Sequence, residues 1–145
     1  MTSATPATED ALRTATVADA MSNGVIHCSP GTSLRTVARL MAEHGVHAIY
    51  VFDYGEQDDE TVSLWGLVSD LDVVAAVDAD FDGITARESA VTPLMTILSS
   101  DPLAAAARRM AETGVSHLAV LDPSTQRPCG VISTLDIVRH IAGRG

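Results

Sequence analysis

The residues whose types and spacing could do chemistry are two Ser-x-x-Asp pairs, Ser69 with Asp72 and Ser133 with Asp136. In both copies a glycine and two apolar residues precede the serine, and a further apolar run follows the aspartate. This pattern predicts a buried strand that leads directly into a helix, with a hydroxyl and a carboxylate at the junction. A helix start presents free N–H groups and a partial positive charge, which suit a phosphate. A carboxylate beside it can accept two hydrogen bonds from the vicinal hydroxyls of a ribose.

The same two pairs also have a purely structural interpretation. A serine followed three residues later by an acidic residue forms a capping box, in which the hydroxyl and the carboxylate satisfy main-chain N–H groups at the helix start. Aspartate has a shorter reach than the glutamate that usually completes this box, so the fit to the pattern is imperfect. Both interpretations place the pair at the beginning of a helix, and the sequence leaves both of them open.

The two pairs belong to a longer internal repeat. Gly66–Val74 returns as Gly130–Val138 with 5 of 9 positions identical, and Leu34–Val46 matches Leu103–Val115 at 8 of 13 positions. The offset falls from 69 to 64 residues because the loop before Gly66 is 5 residues longer than its counterpart. Each copy predicts the order β-α-β-β-α, so the fold class is α/β (α+β). A three-stranded sheet with two helices leaves one apolar face uncovered, so we expect the two units to pack on each other.

The long helix of each copy has recognisable ends. In the first copy we expect Thr32 to cap it, and in the second copy Asp101, with Pro102 at the first helical position. Gly45 and Gly114 are expected to supply the left-handed exits. The domain boundaries are predicted as a disordered tail over residues 1–15, repeats over residues 16–77 and 86–143, and an acidic linker over residues 78–85.

Composition excludes several classes of partner. Of the 145 residues 46% are apolar and only 3% are aromatic, and the formal net charge is −10. Such a surface repels nucleic acid and anionic lipid, whose binding depends on neutralised phosphates. No apolar run approaches the ~18 residues of a membrane span. Residues 1–15 lack the basic and apolar regions of a signal peptide, so we expect a cytoplasmic protein.

The sequence contains no complete motif for catalysis or for metal binding; Asp78–Gly83 resembles the opening of an EF-hand calcium loop, but Ser89 stands where the loop needs a glutamate. Because all 9 basic residues are arginine, there is no phosphate-binding Walker loop and no Schiff-base lysine. There is no H-E-x-x-H or G-x-S-x-G motif, and the histidines have no metal-ligand spacing. Cys28 and Cys129 form no C-x-x-C pair. We therefore predict that the protein is not an enzyme, holds no metal and requires no cofactor.

Over about residues 16–142 the sequence resembles a tandem pair of cystathionine-β-synthase (CBS) domains, also called a Bateman module. The resemblance rests on the duplicated Gly-h-h-Ser-x-x-Asp-h-h phrase, where h is apolar, and on Leu-x-x-x-Ala-x-x-Met-x-x-x-Gly-Val in both copies. It implies two repeats packed about a pseudo-two-fold axis with two clefts between them, and a disc-like homodimer of such pairs. It also implies regulatory sensing of an adenosine-containing ligand such as AMP, ADP, ATP or S-adenosylmethionine.

The resemblance assigns a role to each candidate residue. Asp72 and Asp136 would bind ribose, and Ser69 and Ser133 would face the phosphate. Basic groups near the phosphates would be His47, His117 and Arg139. The adenine would lie against the short strands Val25–Cys28 and Leu94–Ile97, at Ile26, Cys28, Met95 and Ile97.

Two further considerations qualify this assignment. The chain offers few cations near the predicted sites, so a monophosphate, a nucleoside or S-adenosylmethionine is easier to accommodate than ATP. Tyr50 is bulky and could partly fill the first cleft. The alternative function is a ligand-free dimerisation or docking module for an effector protein, in which both Ser-x-x-Asp pairs only cap helices. A small enzyme acting on nucleotides is the third hypothesis.

Overall fold

The computed structural model describes residues 12–54, 62–90 and 94–143. The elements in chain order are α1 (Val17–Ala20), β1 (Ser22–Asn23), β2 (His27–Cys28), α2 (Leu34–His44), β3 (Ala48–Tyr54), β4 (Val62–Ser69), α3 (Asp70–Ala75), α4 (Ala86–Ser89), β5 (Thr96–Leu98), α5 (Leu103–Thr113), β6 (His117–Leu121), β7 (Pro128–Ser133) and α6 (Thr134–Ile141). The predicted order β-α-β-β-α is confirmed for both repeats, as β2-α2-β3-β4-α3 and β5-α5-β6-β7-α6.

The described chain forms two compact units, each built around one sheet. The first unit is Val25–Leu94, with strand order β2-β3-β4; the second is the chain from Met95 together with the described residues up to Gly24, with order β1-β7-β6-β5. In each unit the short strand pairs parallel with the central strand, and the central strand pairs antiparallel with the strand that leads into the last helix. The two Ser-x-x-Asp pairs therefore lie at equivalent strand-to-helix junctions.

Even an irregularity of the sheets is duplicated. The β3–β4 register shifts between Val51 and Phe52, and the β6–β7 register shifts between Val120 and Leu121. The partners of Val51 and Val120 are the repeated glycines, Gly66 and Gly130. β4 and β7 begin before these glycines, so each glycine lies inside its strand, beside a bulge.

Helix α2 begins at a different cap from the predicted one. Ser33 is the N-cap, and its side chain accepts a hydrogen bond from the N–H of Thr36 at 3.2 Å, so the prediction of Thr32 was wrong by one residue. Both residues carry a hydroxyl, and the pattern alone does not distinguish them. The helix buries a stripe at the predicted spacing: Leu34, Val37 and Met41. Gly45, with φ 63°, ends it in the left-handed conformation as predicted.

Helix α5 also differs from the prediction at its first turn. Pro102 is the N-cap rather than the first helical residue, and the Asp101 carboxylate accepts from the N–H of Leu98 at 3.0 Å instead of capping the helix. The helix buries Leu103, Ala106 and Met110 on one face. Gly114, with φ 74°, ends it as predicted.

The helical turn at the start of each repeat packs in the unit that contains the rest of the other repeat. In the second unit the N–H of Val17 donates to the carbonyl of Asp101 at 2.9 Å, and Val17 is fully buried. In the first unit the N–H of Ala86 donates to the carbonyl of Thr32 at 2.8 Å, and Ala86 is fully buried. The two donors, Val17 and Ala86, are 69 residues apart, and so are the two acceptors, Thr32 and Asp101. The two hydrogen bonds are therefore equivalent under the repeat. We call these two segments, α1 and α4, the exchanged turns.

The N-terminal region is attached to the second unit. Residues 12–14 are helical, within the stretch expected to be a disordered tail, because Leu12 packs against the core of the second unit. Residues 1–11 lie outside the described part of the chain. β1 then pairs with β7 so closely that a Cβ at Gly130 would lie 2.3 Å from the carbonyl oxygen of Ser22.

Candidate ligand-binding site

The junction of β7 and α6 contains a complete capping box. The side chain of Ser133 accepts from the N–H of Asp136 at 3.1 Å, and the N–H of Ser133 donates to Asp136 Oδ2 at 2.8 Å. The short aspartate therefore does reach the main chain of the cap. Only Oδ2 takes part in the box, which leaves Oδ1 outside it.

The junction of β4 and α3 repeats this arrangement. The N–H of Ser69 donates to Asp72 Oδ2 at 2.8 Å, and the N–H of Asp72 donates to the Ser69 hydroxyl at 3.2 Å. The Ser69 hydroxyl also donates to the same carboxylate oxygen at 3.0 Å. The structural interpretation of both Ser-x-x-Asp pairs is thus confirmed, and ribose binding by the two aspartates stays a prediction.

Both candidate histidines lie at these junctions, but their rings have different partners. His117 is opposite Ser133 in the β6–β7 ladder, and its Nδ1 is 2.9 Å from the Ser116 hydroxyl. The carbonyl of His47 accepts from the N–H of Asp70 at 2.8 Å, while His47 Nδ1 is 3.0 Å from Asp70 Oδ2. Nδ1 of His47 therefore lies beside a carboxylate, whereas Nδ1 of His117 lies beside a hydroxyl.

Sequence reasoning missed Asp70, which occupies the first position of α3. Its Oδ1 accepts from the N–H of Leu71 at 2.8 Å. The Asp70 carboxylate therefore satisfies an N–H of the first helical turn and also pairs with His47. Thr134 stands at the equivalent position of α6 and has no carboxylate to offer. A direct comparison of the two Ser-x-x-Asp copies, position by position, contains this signal.

Of the four predicted base contacts, Cys28 and Ile97 lie on the short strands β2 and β5, whereas Ile26 and Met95 lie just before them. The carbonyls of Ile26 and Met95 accept from the central strands, at Tyr50 N (2.9 Å) and Ala119 N (3.0 Å). The side chains of Cys28 and Ile97 are buried in the cores of their units. Burial raises the pKa of the Cys28 thiol, and a hydrogen bond with Thr32 partly opposes this. Contact of any of these four residues with a base stays a prediction.

Two arginines and one tyrosine complete the inventory. Arg139 is exposed on α6, one turn after Asp136. Arg109, which sequence reasoning missed, donates to the carbonyl of Thr96 on β5. Tyr50 is fully buried, with its ring centroid 5.8 Å from that of Phe52.

Two negative findings apply to residues 12–54, 62–90 and 94–143. No three His, Cys, Asp or Glu side chains of this described part are grouped so that they could hold a metal ion. No helix within it is long and apolar enough to cross a membrane.

A family model described as CBS domain matches residues 17–79 and 87–143, which is most of the chain in two copies. The chain belongs to the CBS-domain family. The predicted recognition is therefore confirmed, and the duplicated junctions are features of two CBS repeats.

Solved structures with the same fold include CBS-domain proteins crystallised with adenosine compounds. The CBS domain pair of protein MJ0100, in complex with 5-methylthioadenosine and S-adenosyl-L-methionine, matches with a TM-score of 0.73 and 21% identity, over 90% of this chain and 98% of that chain. CBSX2 in complex with AMP matches with a TM-score of 0.64 and 26% identity, over 88% of this chain and 96% of that chain.

One curated relative is an enzyme by name. A homoserine O-acetyltransferase of Methanococcoides burtonii is 30% identical over 128 residues, which are 86% of this chain and 24% of the relative. The chain thus spans about a quarter of the length of that relative.

Proposed function

We propose that this protein is a regulatory sensing module that binds an adenosine-containing ligand at the helix starts of its two CBS repeats. The observation that carries the proposal is the duplicated strand-to-helix junction, in which a serine and an aspartate are held in the same geometry in both units. The crystallised complexes of two structural relatives with AMP, and with 5-methylthioadenosine and S-adenosylmethionine, support this class of ligand.

In this proposal the capping box positions each aspartate for the sugar. Asp72 and Asp136 use Oδ2 for the box and offer Oδ1 to the ribose hydroxyls, so capping and binding are compatible. Ser69 and Ser133, with His47, His117 and Arg139, face the phosphate side of the ligand. Main-chain groups in and just before the short strands, at Ile26, Cys28, Met95 and Ile97, contact the base.

The charge of the chain limits the ligand. The net charge is −10, and a triphosphate requires several fixed cations to offset its own charge. AMP, a nucleoside or S-adenosylmethionine therefore suits the chain better than ATP. The role is regulatory and not catalytic, and it requires that the ligand favour one arrangement of the protein over another, since equal affinity for both shifts nothing.

The regulated assembly is a homodimer formed through two exposed apolar stripes, one on α3 and the turn that follows it, and one on α6. Each stripe has three large side chains with 44–69% of their surface exposed: Leu71, Val74 and Val77 after the first junction, and Leu135, Val138 and Ile141 after the second. The first turn of α3 carries two acidic residues, whereas the last turn of α6 carries Arg139 and His140. A second copy of this chain offers both the apolar surface and the opposite charge that these stripes require.

Calorimetric titration with AMP, ATP and S-adenosylmethionine tests the binding. We expect one preferred ligand, and Asp136→Ala should abolish its tighter binding event. The matched control is Asp19→Ala, because Asp19 completes a capping box with Thr16 outside the predicted sites. The control should lose helix-capping stability but keep the ligand.

Thermal unfolding separates this function from the ligand-free docking module. A ligand at about 100 times its dissociation constant adds ~2.7 kcal/mol to the free energy of unfolding. If no adenosine compound changes the free energy of unfolding, the docking module is the correct function. Chemical change of the ligand after long incubation would instead favour the nucleotide enzyme.

A further inference from the structure

The two helix starts carry different balances of charge although their capping geometry is the same. The first turn of α3 contains two carboxylates, Asp70 and Asp72, and its last turn contains no basic residue. The first turn of α6 contains one carboxylate, Asp136, and its last turn contains Arg139 and His140. The position equivalent to Arg139 in the first repeat is Ala75.

Magnitudes show which helix start remains favourable to an anion. The dipole of a helix places only about half a unit of positive charge at its N-terminus. In α3 two full negative charges outweigh it. In α6 the single carboxylate is offset by an arginine one turn away, and the helix dipole adds to the positive side.

The Asp70 carboxylate adds negative charge, and its hydrogen bonds also occupy groups that a phosphate would need. Its Oδ1 holds the N–H of Leu71 at 2.8 Å, and its Oδ2 lies 3.0 Å from His47 Nδ1. A phosphate at this start would have to displace a carboxylate from both groups. At the second start Thr134 stands in place of Asp70 and carries no carboxylate that could occupy the N–H of Leu135.

We propose that Asp70 makes the two repeats selective for different ligands: the second repeat accepts a phosphate-bearing adenosine ligand, and the first repeat accepts only an uncharged or cationic one. Asp70 is thus a specificity-determining residue that excludes phosphate from the first repeat. The inference rests on the proposed function and adds the charge class of ligand that each repeat takes.

The test compares AMP with adenosine, which has the same base and sugar but no phosphate. Calorimetry of the wild-type protein should give one AMP per chain, while adenosine also binds at the first repeat. Asp70→Thr, which installs the residue of the second repeat, should raise AMP affinity at the first repeat about tenfold or more, since a like charge a few ångströms away is removed. Adding Ala75→Arg should raise it further.

The reciprocal exchange and a charge control complete the design. Thr134→Asp should lower AMP affinity at the second repeat by about tenfold or more and leave adenosine binding there nearly unchanged. Asp78→Asn removes the same charge beyond the far end of α3, where Asp78 is exposed, and should leave the AMP stoichiometry at one.

The possible outcomes separate this inference from the proposed function. Two equivalent AMP sites in the wild-type protein, or an unchanged AMP affinity in Asp70→Thr, would overturn the role of Asp70 while adenosine sensing stands. Binding of neither AMP nor adenosine to any variant would overturn both. A gain of AMP binding in Asp70→Thr with the loss in Thr134→Asp is the result that supports the inference.

Discussion

At the scale of single residues, a capping role and a ligand role do not compete for the same atoms. Asp72 and Asp136 each cap their helix through Oδ2 alone, which leaves Oδ1 for the ligand role proposed above. The sequence identified the serine and the aspartate of each pair because their spacing is local. It could not identify the contact between His47 and Asp70, which lie 23 positions apart and meet only when β3 and β4 pair.

A buried thiol makes the stability of the first unit depend on alkaline pH. Burial raises the pKa of Cys28 above its ordinary value of 9.0, so the folded state holds the proton more tightly than the unfolded state. The resulting stability is fully present below pH 9.0 and is lost as the pH rises through the folded-state pKa.

Denaturant unfolding of the wild type and of Cys28→Ala, at about pH 7.5 and about pH 10, measures this effect. The free-energy difference between the two proteins should shrink at the higher pH. Replacement of Cys129, which is only half-buried, should change the pH dependence less. An equal difference at both values would show that the Cys28 thiol does not ionise differently on folding.

At the scale of elements, periodicity predicted the repeated fold well, and tertiary contacts decided the details. The stripes of α2 and α5 and their glycine exits follow from local pattern and backbone conformation. The exchanged turns could not be predicted, because each turn satisfies main-chain groups of a repeat far from it in sequence. The cap of α2 at Ser33 instead of Thr32 has a similar tertiary origin, because the N–H of Ala86 in α4 donates to the carbonyl of Thr32 and so fixes the residue before the cap.

The contact of β1 with β7 predicts a position that tolerates no side chain. In Gly130→Ala the new Cβ would meet the Ser22 carbonyl oxygen at 2.3 Å and the Met21 sulfur at 3.3 Å. We expect a loss of about 1–3 kcal/mol in the free energy of unfolding, the usual cost of overpacking. Gly31→Ala is the matched control, because a Cβ there meets no atom within 4 Å, and its stability should change little. Equal stability of the two variants in chemical denaturation would contradict the close approach.

At the scale of the whole molecule, exposed apolar surface and net charge act in opposite directions on self-association. A net charge of −10 opposes association between copies, so a dimer requires a specific contact. The stripes of α3 and α6 provide six large apolar side chains for that contact.

Neutral polar substitutions in the stripes test the homodimer without altering charge. Val74→Gln and Val138→Gln replace side chains that are 67% and 57% exposed, so they should leave folding intact and shift the protein toward a single-chain mass. Light scattering after size-exclusion chromatography measures that mass. Ala111→Gln, on the exposed side of α5, introduces the same side chain without altering charge and should remain dimeric. A wild-type protein with the mass of one chain would refute the proposed interface.

The exchanged turns also bear on how such a protein could arise by gene duplication. A lone ancestral copy, carrying its own leading turn, would leave one fully buried position of its core unfilled, the position that Val17 and Ala86 occupy here. Two identical ancestral chains could fill it by exchanging their turns. After fusion of their genes, the same exchange would occur within one chain. Neither half would then have a complete core when separated from the other.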